Sequence, residues 1–350
     1  MYWDAPGRDR QAAQGSIGVN FLSNDWYLAE GSTGSDSRGA FETWVLVQNP
    51  GKTTANVTLT YLTPQGRVAG PKLALAGGTR QSFNVADTVP GQWSVSTVVD
   101  SDAPVAAERA TYWDAPGEFR RSAHDSVGAP NPADAWYMAE GCTGKNADGS
   151  FETWVTVENP YAATVTAQLF YQTPGGQVAG PTIALAPYTR RTVNVAETCP
   201  NQWNVSTRVQ ADGPVVAERV TYWNTSDYRQ ADHGSVGCLA SAKTWLVPEG
   251  STGSDASGGF DTWILVQNPG AATANVNLKY MTPSGEAAGP SFKLAANTRK
   301  SVSVADSVPN NWSVSTTVSS DQPVVVDGSL YWNAPGQFRC SALSSRGYAP

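Results

Sequence analysis

The chain of 350 residues has little charge and almost no histidine. Asp, Glu, Lys and Arg make up 15% of the residues, histidine occurs twice, and the net charge is −7. An average soluble protein has about 25% charged residues. Because phosphate binding needs clustered Lys and Arg, this composition argues against a nucleic-acid partner.

Long apolar runs are also missing from the sequence. No run approaches the roughly 18 residues that cross a membrane as a helix, which argues against membrane insertion. No segment shows a sustained helical period with caps, and residues 1–7 have no signal-peptide pattern. Disorder is excluded in turn, since 40% hydrophobic and 10% aromatic residues suffice to form a core.

The chain does contain an internal repeat. The pair Tyr-Trp occurs four times, and each pair is followed by a similar short tail. Three copies of one core lie between the pairs, and each runs from a W-Y-x-A-E-G or W-L-V-P-E-G segment through F-[ED]-T-W to Asn-Pro. We therefore divide the chain into an extra tail at 1–20 and three repeats with tails at 21–130, 131–239 and 240–350. A closed ring would need as many cores as tails, so the surplus tail predicts an open array cut from a longer one.

Within each repeat, polar and apolar residues alternate with a period of two. Val57, Leu59 and Tyr61 fall on one face of such a segment, as in a half-buried strand. Turn residues, such as 102–104, separate about seven short strands in each repeat, as in an immunoglobulin-sized sandwich. The predicted fold is all-β, with three tandem antiparallel β-sandwich (immunoglobulin-like) modules in an open linear array.

Three motifs carry a resemblance to a known family: W-Y-x-A-E-G-x-T-G, F-[ED]-T-W-[VI]-x-V-x-N-P and A-E-R-x-x-Y-W. They resemble a family of extracellular Ig-like modules of uncharacterised function, which occur in tandem in secreted and surface proteins of high-GC Gram-positive bacteria. The resemblance covers nearly the whole chain. It implies a β-sandwich fold and an extracellular or cell-surface location, without a defined ligand.

One departure from the repeat concerns an arginine. Repeats 1 and 2 have Arg109 and Arg219 after a glutamate, whereas repeat 3 has Gly328 after Asp327. If this arginine joins a contact between modules, repeat 3 lacks that contact. The change would suit a terminal module, or a copy that has merely drifted.

The 13 tryptophans suggest sugar stacking, but they occupy equivalent positions in the repeats, which is more typical of core or junction packing. Better candidates for a ligand such as a glycan are Tyr161 and Tyr188, in predicted loops of repeat 2 alone. We predict that the Tyr-Trp pairs pack between modules. These are Tyr2, Trp3, Tyr112, Trp113, Tyr222, Trp223, Tyr331 and Trp332.

The sequence has four cysteines, an even number. Cys142 and Cys199 both occur in repeat 2 alone, which predicts a disulfide between them. Cys238 and Cys340 lie in the tails that flank repeat 3, and could pair with each other, bridge neighbouring chains or stay reduced. Disulfides imply an oxidising compartment. No C-x-x-C motif or histidine at ligand spacing indicates a metal site, and no cofactor is expected.

Candidate catalytic residues are few. Neither a G-x-S-x-G elbow nor a P-loop is present. His124 and His233 are equivalent, but the other two tails lack histidine there, so a surface or linker role is expected. The carboxylates Glu30 and Glu42 could serve a glycosidase. Repeat 3, however, has Asp261 in the second position, and pairing with recurring arginines fits better.

We therefore predict no enzyme. The predicted function is that of a non-catalytic extracellular or cell-surface repeat segment, a stalk or spacer. The alternatives are a subunit of a self-assembling filament, joined head to tail, and an adhesin or carbohydrate-binding module. The expected partners are neighbouring repeats or copies of the same chain, and a glycan under the last alternative.

Overall fold

The computed structural model describes residues 2–5, 8–13, 15–225 and 229–350, and of residues 2, 3, 5 and 8–10 only the backbone. The side chains of Tyr2 and Trp3 therefore lie outside the described part of the chain. Regular structure in the described residues is almost entirely β-strand, with two 3₁₀ helices at Val85–Asp87 and Val195–Glu197. The prediction of an all-β chain with three tandem sandwich modules is confirmed.

The strands follow the same order in each module. A hairpin of β1 (Tyr2–Ala5) and β2 (Arg8–Ala13) precedes the first module. Module 1 contains β3 (Ser23–Leu28), β4 (Ser35–Asp36), β5 (Gly39–Asn49), β6 (Ala55–Thr63), β7 (Gly66–Leu75), β8 (Thr79–Asn84), β9 (Ser96–Ala115) and β10 (Glu118–Val127).

The other two modules repeat this order. Module 2 contains β11 (Ala133–Met138), β12 (Lys145–Asn146), β13 (Gly149–Asn159), β14 (Val165–Thr173), β15 (Gly176–Leu185), β16 (Thr189–Asn194), β17 (Ser206–Asn224) and β18 (Arg229–Val236). Module 3 contains β19 (Ala242–Val247), β20 (Ser254–Asp255), β21 (Gly258–Asn268), β22 (Ala274–Thr282), β23 (Gly285–Leu294), β24 (Thr298–Ser303), β25 (Ser315–Ala334) and β26 (Gln337–Arg346).

One long strand takes part in both sheets of each module. The first part of β9 pairs with β3 and β6, and β7 extends that sheet beyond β6. The second part of β9 pairs with β5 and β10, and β8 and β4 extend this second sheet beyond β5. All of these pairings are antiparallel. Residues of both sheets form one core cluster, so the two sheets face each other while sharing β9.

The core of each module comes from the inward faces of these alternating strands. Val57, Leu59 and Tyr61 are buried on one face of β6, as the period of two predicts. The first tryptophan of each repeat lies in the core, where the Trp26 Nε1 donates to the Val105 carbonyl at 2.8 Å. In the Asn-Pro motif, the Asn49 amide donates to the carbonyl of Leu75 at 2.9 Å. The motif thus closes the edge of the sandwich.

Four tail hairpins connect the modules. Each tail hairpin is the end of a long strand together with the strand after it: β1–β2, β9–β10, β17–β18 and β25–β26. β10 packs against β18 and β18 packs against β26, while β2 contacts both β26 and β10. The tail hairpins therefore form a closed cycle, which we call the hairpin cycle.

Side chains of the first tail hairpin support this closure. Gln11 is 3% exposed and donates to the carbonyl of Phe119 in β10 at 3.3 Å. On its other side, Ala13 packs with Leu330 and Leu343 of module 3. The arrangement differs from the predicted open linear array, because the surplus tail takes the fourth position of the cycle beside three sandwiches in the described chain.

Candidate interaction site at the module junctions

The junction between modules 1 and 2 contains a buried network of charges. The Glu30 carboxylate follows β3 and accepts hydrogen bonds from the Arg109 guanidinium of β9 and from Nε2 of His124 in β10, the latter at 3.0 Å. From module 2, the Glu218 carboxylate accepts the backbone N–H of Glu30 at 2.6 Å. The other imidazole nitrogen of His124 lies 3.0 Å from Asp232 in β18. These groups are all buried and join two modules.

The electrostatics of this network keep Glu30 and His124 charged. Burial would raise the pKa of Glu30, but Arg109 and His124 lower it to about 2. Burial would lower the pKa of His124, but the carboxylates of Asp232 and Glu30 raise it to about 9. His124 is therefore an imidazolium at neutral pH, and both of its ring N–H groups donate.

A neighbouring carboxyl at the same junction has a strongly raised pKa. Glu158 of β13 is fully buried, and burial together with the charge of Glu218 holds its pKa well above its usual range. Arg190 lies beside it and donates to the Ala29 carbonyl of module 1 at 3.2 Å. The junction thus combines paired charges with a carboxyl whose pKa is strongly raised.

The junction between modules 2 and 3 has the same plan with different partners. The backbone N–H of Glu140 donates to Asp327 at 2.9 Å, and Arg219 lies 3.4 Å from both carboxylates. Arg219 also donates to Nδ1 of His233 at 3.3 Å, so Nε2 donates to the Tyr331 hydroxyl at 3.1 Å. Burial and Arg219 hold the pKa of His233 well below its usual range, so this histidine is neutral.

Sequence reasoning missed these histidines, which were expected at the surface or in linkers. His124 and His233 are instead 2% and 1% exposed. The glutamate-arginine pair before the second and third Tyr-Trp was the available signal, because Arg109 and Arg219 lie at the two junctions. Gly328 takes their place in module 3, where a larger side chain would meet the side chain of Val247.

The outer faces of modules 1 and 3 carry exposed counterparts of residues that are buried at the two junctions. Arg190 and Arg299 are 2% and 1% exposed, and Arg299 donates to the Ala139 carbonyl of module 2 at 2.9 Å. Their counterpart in module 1, Arg80, is exposed, and so is Glu249, the module 3 counterpart of Glu30. No other described module covers these two faces.

An aromatic cluster lies beside each charge network. In the first, Trp113 and Phe41 of module 1 share a cluster with Tyr222 of module 2, and the Arg229 guanidinium lies 4.4 Å from the Tyr222 ring centre. In the second, Trp223 clusters with Tyr331, over which Arg339 lies at 4.5 Å.

The remaining predicted junction residues have separate places. Tyr112 is half-buried under Arg120, whose guanidinium lies 4.0 Å from the ring centre. Trp332 is 1% exposed and stacks at a tilt with Phe260 of its own module. Trp113 and Tyr222 thus lie between modules 1 and 2, and their equivalents Trp223 and Tyr331 lie between modules 2 and 3.

The predicted disulfide between Cys142 and Cys199 is wrong, since all four cysteines are free and buried. Cys142 belongs to the aromatic cluster of Trp223, whereas Cys199 belongs to the core of module 2. Thr143 stands between the two segments, and its hydroxyl donates to the Cys199 carbonyl at 2.6 Å. The backbones are therefore adjacent, but the two thiols belong to different clusters.

The tail cysteines do not meet either. Cys238 lies in the core of module 3, where its backbone bridges Tyr137. Cys340 lies in the fourth tail hairpin, and its thiol donates to the Trp332 carbonyl at 3.3 Å. Burial raises the pKa of Cys142 and Cys238 to about 12, so both remain thiols.

The predicted ligand residues Tyr161 and Tyr188 lie in adjacent turns. The Tyr188 backbone N–H donates to the Tyr161 carbonyl at 3.1 Å. Tyr161 is 40% exposed, while Tyr188 is half-buried with the guanidinium of Arg67, from module 1, 4.6 Å from its ring centre. Tyr188 therefore contributes to a contact between modules.

The prediction that the repeated tryptophans are packed in cores or junctions is wrong for one position in each module. Trp93, Trp203 and Trp312 are 47%, 44% and 48% exposed. Trp93 borders a groove of about 550 Å³ between modules 1 and 2, and Trp203 borders one of about 270 Å³ between modules 2 and 3.

The paired carboxylates that suggested a glycosidase are engaged with cations. Glu30 contacts Arg109, and Glu42 lies 3.3 Å from the tail residue Arg120. Within the described residues, no group of three or more His, Cys, Asp or Glu could hold a metal ion. No helix in the described part is long and apolar enough to cross a membrane.

No protein-family model matches the chain, and no curated protein does so either. Among solved structures, it is similar to Thermotoga maritima 1070, with 15% identity and a TM-score of 0.28 over 32% of this chain and 96% of that one. It is also similar to the Anabaena sensory rhodopsin transducer, with 18% identity and a TM-score of 0.22 over 26% and 97%. A Streptococcus pyogenes major pilin gives 9% identity and a TM-score of 0.19 over 87% and 98%. Likenesses this weak carry no functional argument.

Proposed function

We propose that the chain is a non-catalytic structural segment of an extracellular or cell-surface protein, in which the modules are held at fixed angles. The buried charge network of the first junction supports this proposal most directly. Moving module 2 away from module 1 would separate the buried Arg109 and His124 from Glu218 and Asp232, which is strongly unfavourable. One relative orientation of the modules is therefore preferred.

The hairpin cycle bears on the shape of this segment. Each tail hairpin contacts two others, so the modules are connected through a shared centre as well as through their junctions. This favours a rigid, compact spacer over a flexible stalk.

Distances between spin labels test the proposal. Labels on cysteines introduced at Ser37 of module 1 and Ser284 of module 3, both exposed, can be attached selectively because the four native thiols are buried. We expect a single narrow distance distribution, which broadens when Arg109 and Arg219 are both replaced by alanine. A broad distribution in the unmodified chain would contradict a fixed arrangement. Protection of the protein from external protease on intact cells would contradict the surface location.

A second candidate function is assembly from copies of the chain. The exposed Arg80 of module 1 and Glu249 of module 3 are counterparts of groups that are buried at the internal junctions. Faces of opposite charge that repeat an existing heterologous contact suit head-to-tail association. Light scattering over a concentration series should then show growing species for the native chain and monomers for Arg80→Glu. A native chain that stays monomeric throughout would dismiss assembly.

A further inference from the structure

We propose that the groove between modules 1 and 2 binds a neutral saccharide against the exposed face of Trp93. The volume of the groove, about 550 Å³, lies within the roughly 300–1,000 Å³ of small-molecule sites. Residues of both modules line it, so the site exists only when the junction is formed. This inference goes beyond the structural function, which needs no ligand.

The Trp93 indole is a preformed platform. Its inner face lies so close to Gly34 that a Cβ there would be 2.5 Å from the ring, and its edge meets Phe41 with the ring centres 6.2 Å apart. The indole nevertheless remains 47% exposed. A rigid aromatic ring with one face in water offers apolar contact at little entropic cost, which suits the C–H face of a sugar ring.

Charged groups beside the platform can bind hydroxyl groups. Arg38 pairs with Asp36 at 2.8 Å, and Arg229 of the third tail hairpin pairs with Glu152 at 3.3 Å. Carboxylates accept hydrogen bonds and guanidinium groups donate them, so each pair can bind neighbouring hydroxyls.

The balance of charge in the groove indicates the class of saccharide. Three guanidinium groups and three carboxylates line it. Because the cations are matched by carboxylates, the groove does not attract an anion by net charge. A neutral oligosaccharide fits better than an acidic one.

The equivalent groove between modules 2 and 3 provides an internal control. It has about half the volume, at roughly 270 Å³, and Cys142 and Leu265 replace Ser32 and Thr156. Its described lining contains no counterpart of the Asp36–Arg38 pair. Trp203 therefore has a similar exposed indole in a smaller groove without a counterpart of the Asp36–Arg38 pair in its described lining, and binding there is not expected.

Titration of the full chain with maltopentaose, cellopentaose, penta-N-acetylchitopentaose and mannopentaose tests the proposal, by tryptophan fluorescence and calorimetry. We expect at least one of them to bind. Trp93→Ala should weaken that binding by at least about tenfold, as for an aromatic hot-spot residue. Trp203→Ala and Trp312→Ala should leave the affinity unchanged.

A further variant keeps the test valid if Trp93→Ala fails to fold. Arg38 has a side chain that is 67% exposed, so Arg38→Ala should fold normally and still weaken binding severalfold. Equal affinities of all these variants and the native chain would overturn the proposal. So would the absence of binding up to about 10 mM of each sugar, or a preference for trigalacturonate over all neutral probes.

Discussion

At the scale of single residues, the junctions depend on charges that are buried only because they are paired. An uncompensated ion in a protein interior costs several kcal/mol, whereas a fully paired network is close to neutral. Glu30, Arg109 and His124 meet this condition within module 1, and Glu218 and Asp232 complete it from module 2. The network consequently specifies how the modules meet more than it stabilises either one.

Arg190 and its exposed counterpart Arg80 allow a matched test of whether the buried charges stabilise the junction. We expect Arg190→Ala to lower the free energy of unfolding by about 3 kcal/mol, because it leaves the buried Ala29 carbonyl without its donor and removes one of the buried cations near Glu30 and Glu218. Arg80→Ala changes an exposed side chain and should cost less than about 0.5 kcal/mol. Urea denaturation of the two variants measures both effects. Equal losses of unfolding free energy in the two variants would show that the contact of Arg190 with module 1 adds no stability.

The pH dependence of stability should follow His124. Its pKa is raised from 6.5 to about 9, so its contribution is complete below pH 6.5 and is lost as the pH rises through about 9. The pKa of Glu30 is lowered from 4.5 to about 2, so its contribution is complete above pH 4.5 and is lost as the pH falls through about 2. Both contributions are therefore complete between about pH 4.5 and 6.5.

We expect the free energy of unfolding to fall by about 3 kcal/mol between pH 6.5 and 9.5. His124→Gln, which copies the first tail, should remove most of this slope. Glu108, whose pKa burial raises to about 7, titrates at the lower end of this range in both proteins. Thermal unfolding at a series of pH values measures the difference, and an unchanged slope in the variant would exclude His124 as its source.

How much of the site could be predicted depended on the distance between partners in the sequence. The loss of arginine at Gly328 is visible in the sequence, and it indicated the junction before any partner was known. The His124–Asp232 contact joins residues 108 positions apart, and no local pattern shows it. Equivalence between repeats also misled the interpretation of Trp93, because a position kept in every module can be an exposed one.

At the scale of elements, the tail hairpins are held by the aromatic clusters at their bases. Trp223 ends β17 and is 1% exposed, among residues of modules 2 and 3. Trp203 is 44% exposed, so Trp203→Ala removes the same type of side chain from the surface and serves as the control.

Trp223→Ala should therefore cost about 3–5 kcal/mol, and the cost should fall mainly on the contact between β18 and β26. Hydrogen exchange should show faster exchange of amides in these two strands, with smaller changes in the core strand β14. Trp203→Ala should leave exchange in the tail hairpins unchanged. Equal protection of β18 and β26 in both variants would show that Trp223 does not stabilise the junction.

The alternation of polar and apolar residues was sufficient to predict most strands, but not their lengths. Residues 102–104 carry turn signals, yet they lie within β9, which continues from Ser96 to Ala115. The pairing of β9 with β3 shifts register at this point, so the predicted turn is a local irregularity within a continuous strand. The Asp102 carboxylate accepts the backbone N–H of Asn56 at 2.7 Å, which replaces a turn with a cross-strand contact.

At the scale of the whole molecule, the hairpin cycle determines the dimensions. A compact chain of 350 residues has a radius of gyration of about 20 Å, and three modules in a row exceed that clearly. We expect X-ray scattering of the native chain to give a value nearer the compact limit. Ala13→Arg, which places a charge between Leu330 and Leu343, should open the cycle and increase the radius.

Ala69→Arg adds the same side chain at an exposed position and serves as the control. Its radius should equal that of the native chain. If Ala13→Arg also leaves the radius unchanged, the first tail hairpin does not hold the modules together. The number of tails and cores in the sequence could not show this closure, because it depends on packing between hairpins that are far apart in the chain.

The shared long strand has a mechanical consequence. β9 runs for 20 residues through both sheets of its module and into the tail hairpin, and β17 and β25 do the same over 19 and 20 residues. A tensile force on the chain therefore reaches both sheets at once and shears many antiparallel hydrogen bonds together. Forced unfolding is limited by the rate of crossing that barrier, so each module should unfold in one step at high force.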